Sequence, residues 1–192
     1  MSHIRECGVP MVDSKNSISR EEDFFSICES CKIICCKGAR PPLTSERMGI
    51  IEAYLLANRI DVGKPFDGGR YAFPRETFDG CCIFLDTKTR KCRIHPVKPE
   101  TCMAGPLTFD INITKGSVEW YLKSEKICPL AGALYRDKER LQKHLESAKR
   151  EINALIRGLP RNELLAILSI EELETFKIGE DPLASEILAR LH

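Results

Sequence analysis

From Thr44 to Asn58 the apolar positions, among them Met48, Ile51 and Leu55, return at helical spacing, and the pattern predicts one helix. Pro41 and Pro42 divide it from a crowded cysteine stretch upstream. The following segment, VGKPFDGGRYAFPRETFDG, is broken by Gly, Pro or Asp every few residues and reads as loop with room for a short strand. CCIFLD and KCRIH then flank the polar turn TKTR, and LTFDINI and SVEWYLK flank TKG in the same manner. Each pair predicts a β-hairpin.

After Pro129 the period changes. Leu134, Leu141, Leu145, Ala148, Ile152 and Leu155 fall on one face of a long amphipathic helix that ends near Gly158 and Pro160. Two shorter helices are expected beyond it, one from the capping-box spacing of Ser169 and Glu172, the other from Asp181 followed by Pro182. Residues 1–24 are polar, lack a sustained period and read as a mobile lead-in. The chain therefore divides into this lead-in, a cysteine-rich domain over residues 25–130, and a helical extension over 131–192 that packs back on the core. The expected class is α+β: a small, irregular, cysteine-ligated core with short hairpins, covered by helices.

With 29 Lys+Arg against 28 Asp+Glu the net charge is +1, which lacks the basic footprint of a dedicated nucleic-acid binder. No run of about 18 apolar residues occurs, and the first residues carry no signal-peptide pattern, so a soluble cytoplasmic protein with no membrane segment is expected. In such a compartment the 10 cysteines point to metal or redox chemistry before disulfides.

The cysteines are spaced as ligands. CESCKIICC carries Cys28, Cys31, Cys35 and Cys36, and Cys81, Cys82, Cys92, Cys102 and Cys128 follow, with Cys7 near the start. Soft thiolates suit zinc, copper(I) and iron–sulfur clusters rather than magnesium or calcium. Two residues between Cys28 and Cys31 let one turn offer two sulfurs to one centre. On a helical path Cys28, Cys31 and Cys35 share a face about 60° wide, while Cys36 points about 100° away from Cys35. Lys88, Arg90, Lys91, Arg93 and Lys98 surround Cys92 and Cys102 in sequence; they either offset thiolate charge or simply face water. Asp79, Glu76 and Asp86 fit turn-forming and solvated roles, and the chain lacks a Rossmann fingerprint, a P-loop, HExxH or a nucleophile elbow. No catalytic residue is nominated.

The order of these motifs resembles the YkgJ-like cysteine-cluster proteins, a family associated with zinc or iron chelation. Cys28, Cys31, Cys35 and Cys36 match its first cluster; Cys82 with Phe84 and Leu85 matches its C-x-F-L element; Cys92, Ile94, Pro99, Cys102 and Pro106 match the third; Cys128 with Pro129 matches the last. The chain departs by one extra residue between Cys31 and Cys35, and His95, Lys98 and Met103 replace the usual Tyr, Arg and Arg. The resemblance implies that Cys28, Cys31, Cys35, Cys36, Cys82, Cys92, Cys102 and Cys128 are ligands, as two four-sulfur sites or one larger arrangement. The number of sulfurs and the scarcity of histidines fit an iron–sulfur cluster, of the 4Fe-4S type, with electron transfer or a redox-accessory role and a protein redox or assembly partner. The alternative is zinc in an interaction module, which the short chelate spacing suits. A metal-associated protein-modifying enzyme is the third class.

Overall fold

The computed structural model describes residues 26–28, 31, 35–171 and 174–192. Cys7, the expected lead-in and Glu172 of the expected capping box lie outside the described residues. Helix α1 (Ser45–Ala57) starts where the sequence predicts, because the Thr44 side chain accepts a hydrogen bond from the Arg47 amide and so satisfies one of the free N-terminal donors. Its buried Ile51 and Leu55 pack with Leu43, Phe84 and Ile94 into a small hydrophobic cluster. Phe66 meets Phe84 edge-on with ring centroids 6.3 Å apart.

Around this cluster the strands are short. β1 (Phe66–Asp67) pairs with β2 (Phe73–Pro74), and β3 (Leu85–Asp86) with β4 (Lys91–Cys92), both antiparallel. A 3₁₀ turn at His95–Val97 then leads into α2 (Glu100–Ala104). The dense Gly and Pro content explains why this region is held by turns and bridges rather than by an extended ladder.

The second, larger cluster is built on a three-stranded antiparallel sheet, β5 (Leu107–Asn112), β6 (Ser117–Lys123) and β7 (Thr175–Pro182), with β6 in the middle. Its register sets Leu107 opposite Leu122, Phe109 opposite Trp120 and Ile111 opposite Val118, so alternate residues of both strands share one apolar face. Against that face lie Leu145, Ala148, Ile152, Leu155 and Ile156 of α4 (Lys138–Gly158), joined by Leu164 of α5 (Arg161–Leu168) and by Ile187 and Leu191 of α6 (Ser185–Leu191). Each such Leu or Ile contributes roughly 1.5–3 kcal/mol by leaving water.

Three sequence expectations are corrected here. The long helix is two helices, α3 (Pro129–Arg136) and α4, because Asp137 takes an extended conformation and its carboxylate caps the Arg140 amide at 3.1 Å. Leu134 thus belongs to the shorter helix. Asp181 does not cap a helix but lies within β7, where it accepts from Trp120 Nε1 at 2.6 Å, and pairing along β6 outweighs the local cap-and-proline signal. Ser169 closes α5 rather than opening a helix, donating its hydroxyl to the Ala166 carbonyl at 2.7 Å.

A polar junction joins the two clusters. Buried Glu100 accepts from Thr44 Oγ1 at 2.7 Å, and Arg47 lies 3.9 Å from Glu100 while pairing with Glu151 of α4. A methyl group at Gly158 would sit 2.7 Å from Thr44 Cγ2, so the end of α4 approaches α1 this closely only as glycine. Among the described residues no helix is long and apolar enough to cross a membrane.

Candidate metal centre

The backbone brings separated cysteines together before any side chain is considered. The Cys31 amide donates to the Cys28 carbonyl at 3.3 Å, closing the turn expected of a two-residue spacer. Cys35 and Cys36 lie in a second turn, from which the chain runs antiparallel to residues 80–82: the Cys82 amide donates to Cys36 O at 2.8 Å, Lys37 bridges to Cys81, and the Gly38 amide donates to Gly80 O at 2.8 Å. The Leu85 amide folds back on Cys82 O at 2.9 Å, and Leu85 pairs across the hairpin with Cys92. Cys102 lies on α2, and Cys128 is the N-cap of α3 with Pro129 at the first helical position.

Packing ties three of these residues to the two hydrophobic clusters. Cys82 and Cys92 rest against the smaller one, Cys128 against the larger. Cys28 and Cys35 are exposed, whereas Cys31, Cys36, Cys82, Cys92, Cys102 and Cys128 are half-buried.

The electrostatic surroundings differ from thiol to thiol. Burial, then Cys128 and Cys35, raise the Cys28 thiol against the pull of Lys98. A side-chain hydrogen bond to Cys36 draws Cys35 down to about 6, and the same bond with burial drives Cys36 up. Burial pushes Cys82 up to about 11 and Cys102 up to about 12, and it raises Cys92 as well; neighbouring thiols add to all three. The contact between Cys35 and Cys36 corrects the expectation that their sulfurs diverge, since the turn at these residues replaces the helical or extended path on which that geometry rests.

Of the basic run, Lys98 reaches several thiols and Arg93 reaches Cys92. Lys98 acts on Cys28, Cys35, Cys92 and Cys102, and its Nζ is 3.5 Å from His95 Nε2. Lys88, Arg90, Lys91 and Arg93 are exposed, and Arg93 donates to the Ile83 carbonyl at 2.9 Å. Lys123, at the end of β6, also lowers Cys35, a role no local sequence signal announces because the sheet carries it there. His95 is exposed on its 3₁₀ turn. His144 is half-buried, with Nε2–H directed at the carbonyls of Ala104 and Gly105, 3.2 and 3.1 Å away.

Cys81 stands apart. It is buried, bonded to the Asp79 side chain and under the influence of Lys37. Asp79 itself accepts from the Thr77 hydroxyl at 2.5 Å, and Asp86 accepts the amides of Lys88 and Thr89 at 2.9 and 3.3 Å, so both carboxylates serve turns.

The thiols that act on one another are mainly joined by other thiols, with Glu76 acting on Cys82 as well; sulfur donors fit zinc or an iron–sulfur cluster and disfavour hard oxygen-seeking ions. Among the described residues no three His, Cys, Asp or Glu side chains are gathered closely enough to chelate an ion, and the described cysteines are free thiols. Sulfurs on one zinc stand about 3.8 Å apart, from bonds of about 2.3 Å at tetrahedral angles. Closing such a shell therefore needs side-chain rotation on the backbone frame described above.

A family model described as "CxxCxxCC: Putative zinc- or iron-chelating domain" matches residues 27–129. The chain belongs to this CxxCxxCC family. The match begins beside Cys28 and ends beside Cys128, so it contains the whole convergent group. An uncharacterised protein of Methanocaldococcus jannaschii is 31% identical over 103 residues, covering 50% of this chain and 54% of that protein. The chain thus spans about half the length of the curated relative it matches. No solved structure matches the chain.

Proposed function

We propose that this CxxCxxCC protein carries iron–sulfur chemistry, of the 4Fe-4S type, and serves electron transfer or a redox-accessory role toward a protein partner. Its ligands are drawn from Cys28, Cys31, Cys35, Cys36, Cys82, Cys92, Cys102 and Cys128. The observation that carries the reading is the mutual influence of these thiols, four of which (Cys28, Cys35, Cys92 and Cys102) Lys98 also reaches. A bound cluster supplies a one-electron couple there, and the exposed edge at Cys28 and Cys35 gives a partner short-range access to it. Anaerobic purification tests this directly. Brown protein with iron, acid-labile sulfide and visible absorption is expected; colourless protein with stoichiometric zinc sinks it.

The turn at Cys28 and Cys31, closed by its own backbone bond, supports zinc as the second reading, since such chelating turns recur in four-cysteine zinc sites. In that case the metal staples an interaction module. Residues 25–130 then fold around it and residues 131–192 back it. Chelation of the zinc should unfold the cysteine domain; an unchanged circular dichroism spectrum and unchanged partner binding on chelation count against this reading.

A further inference from the structure

Away from the cysteines, a cleft of about 420 Å³ opens where the β1–β2 loop meets α5, lined by Arg70, Arg161, Asn162, Leu165 and Ala166. Small-molecule pockets commonly measure roughly 300–1,000 Å³. The four α5 residues recur at helical spacing and so share one face of the helix. Buried Ala166 and half-buried Leu165 give the cleft an apolar wall, and exposed Arg161 and Asn162 stand at its end.

Neutral partners hold both arginines. Arg70 Nη2 donates to Ser169 Oγ at 3.0 Å, and that hydroxyl donates in turn to the Ala166 carbonyl at 2.7 Å. The loop beyond Arg70 is tied down as well, because the Leu43 amide donates to Ala72 O at 3.0 Å. Arg161 Nη2 donates to the carbonyl of Leu191, the last residue of α6, at 3.0 Å. Each guanidinium thereby commits one N–H to a neutral oxygen and keeps the other donors of its planar fork. Among the described residues no carboxylate lines the cleft and neither arginine is in an ion pair, whereas Arg40, Arg47, Arg136 and Arg140 each meet a carboxylate.

Two guanidiniums from distant parts of the chain thus face one cleft without a described counter-charge, and an oxyanion supplies it. Arginine's fork matches the paired oxygens of phosphate and carboxylate groups. We propose that the cleft binds a small organic oxyanion: Arg70 and Arg161 hold its phosphate or carboxylate head, Asn162 donates beside them, and an apolar body lies on Leu165 and Ala166. None of these residues is among the eight cysteines, so the site is tested separately from the metal centre.

Reduced, ¹⁵N-labelled full-length protein is titrated with phenyl phosphate and, separately, with benzoate, at constant ionic strength and with sodium chloride as the control. The probes share a ring and differ in the head, so they tell phosphate from carboxylate. Saturable shifts confined to Arg70, Arg161, Asn162, Ser169 and their neighbours are expected with at least one probe. Arg70→Gln and Arg161→Gln should each weaken that binding about tenfold, through loss of a charged hydrogen-bond donor. Asn162→Asp guards against misfolding: it is nearly isosteric, lies exposed in the first turn of α5 where a carboxylate is favourable, and sets a negative charge in the cleft. It should abolish binding. Shifts that stay linear with both probes, that spread over Lys88, Arg90 and the other exposed cations, or that persist unchanged in Asn162→Asp overturn the proposal.

Discussion

The amide of Cys82 donates to the carbonyl of Cys36 at 2.8 Å, so the first cysteine motif is docked on the second by the main chain itself. The same short ladder places Lys37 beside Cys81 and Gly38 beside Gly80. Gly80 makes the reversal possible: its φ of +77° lies in the left-handed region, and its amide donates to Thr77 O at 2.9 Å. Gly80→Ala is predicted to destabilise the fold by about 1–2 kcal/mol, the cost of forcing an L residue into that region. Denaturant unfolding measures it. An unchanged midpoint would show that the turn relaxes freely.

Thr44 has two tasks at the junction of the clusters. Its oxygen accepts the Arg47 amide at 3.0 Å to cap α1, and its hydroxyl donates to buried Glu100 at 2.7 Å. Glu100 Oε2 already lacks a partner, so losing Thr44 leaves the carboxylate more exposed to the cost of burial. Thr44→Ala is expected to cost about 2–4 kcal/mol, the sum of a cap of about 1 kcal/mol and an unsatisfied buried acceptor of about 1–3 kcal/mol. Thr44→Ser should recover most of that loss. Equal stability of the two variants in urea titrations would remove the hydroxyl from this account.

Local signals were sufficient for α1, with Thr44 as its cap, and for the β5–β6 hairpin, whose alternation reappears as the Leu107–Leu122 and Ile111–Val118 pairs. They were insufficient for β7. Strand character at residues 175–182 comes from pairing with β6, a contact invisible within the segment, and Trp120 recruits Asp181 across that pairing. The break at Asp137 hides because Leu134 keeps the apolar rhythm of α4 by coincidence of spacing. At the site, motif spacing marks the cysteines, but the bond of Cys81 to Asp79 and the bridge from Lys37 to Cys81 come from pairing that only the fold supplies.

Acid should loosen the sheet through Glu119. Bonds from Lys177 and the Tyr121 hydroxyl, at 2.9 and 2.7 Å, pull its carboxylate down to about 2 from an ordinary 4.5. A carboxylate whose folded value is depressed favours the folded state above its unfolded value, and that contribution fades as pH falls from 4.5 towards 2. Thermal melts of Glu119→Gln should therefore lie below the wild type at neutral pH and converge with it in acid. Parallel pH curves would assign the acid response to other groups.

Lys98 is a cation that four of the eight thiols share, acting on Cys28, Cys35, Cys92 and Cys102. Metal binding to thiols requires them to lose their protons, and the burial of Cys82 and Cys102 opposes that loss. Removing a nearby positive charge makes the ionised set costlier by about 1–2 kcal/mol at an effective dielectric of about 20, where unit charges several ångströms apart interact by a few kcal/mol before screening. Lys98→Met is thus predicted to weaken Zn²⁺ or Co²⁺ affinity about tenfold at neutral pH, with Lys98→Arg close to wild type. Competition against a chromophoric chelator at fixed ionic strength reads the difference. Equal affinities for Lys98→Met and wild type would mean that solvent, rather than this side chain, balances the charge of the sulfurs.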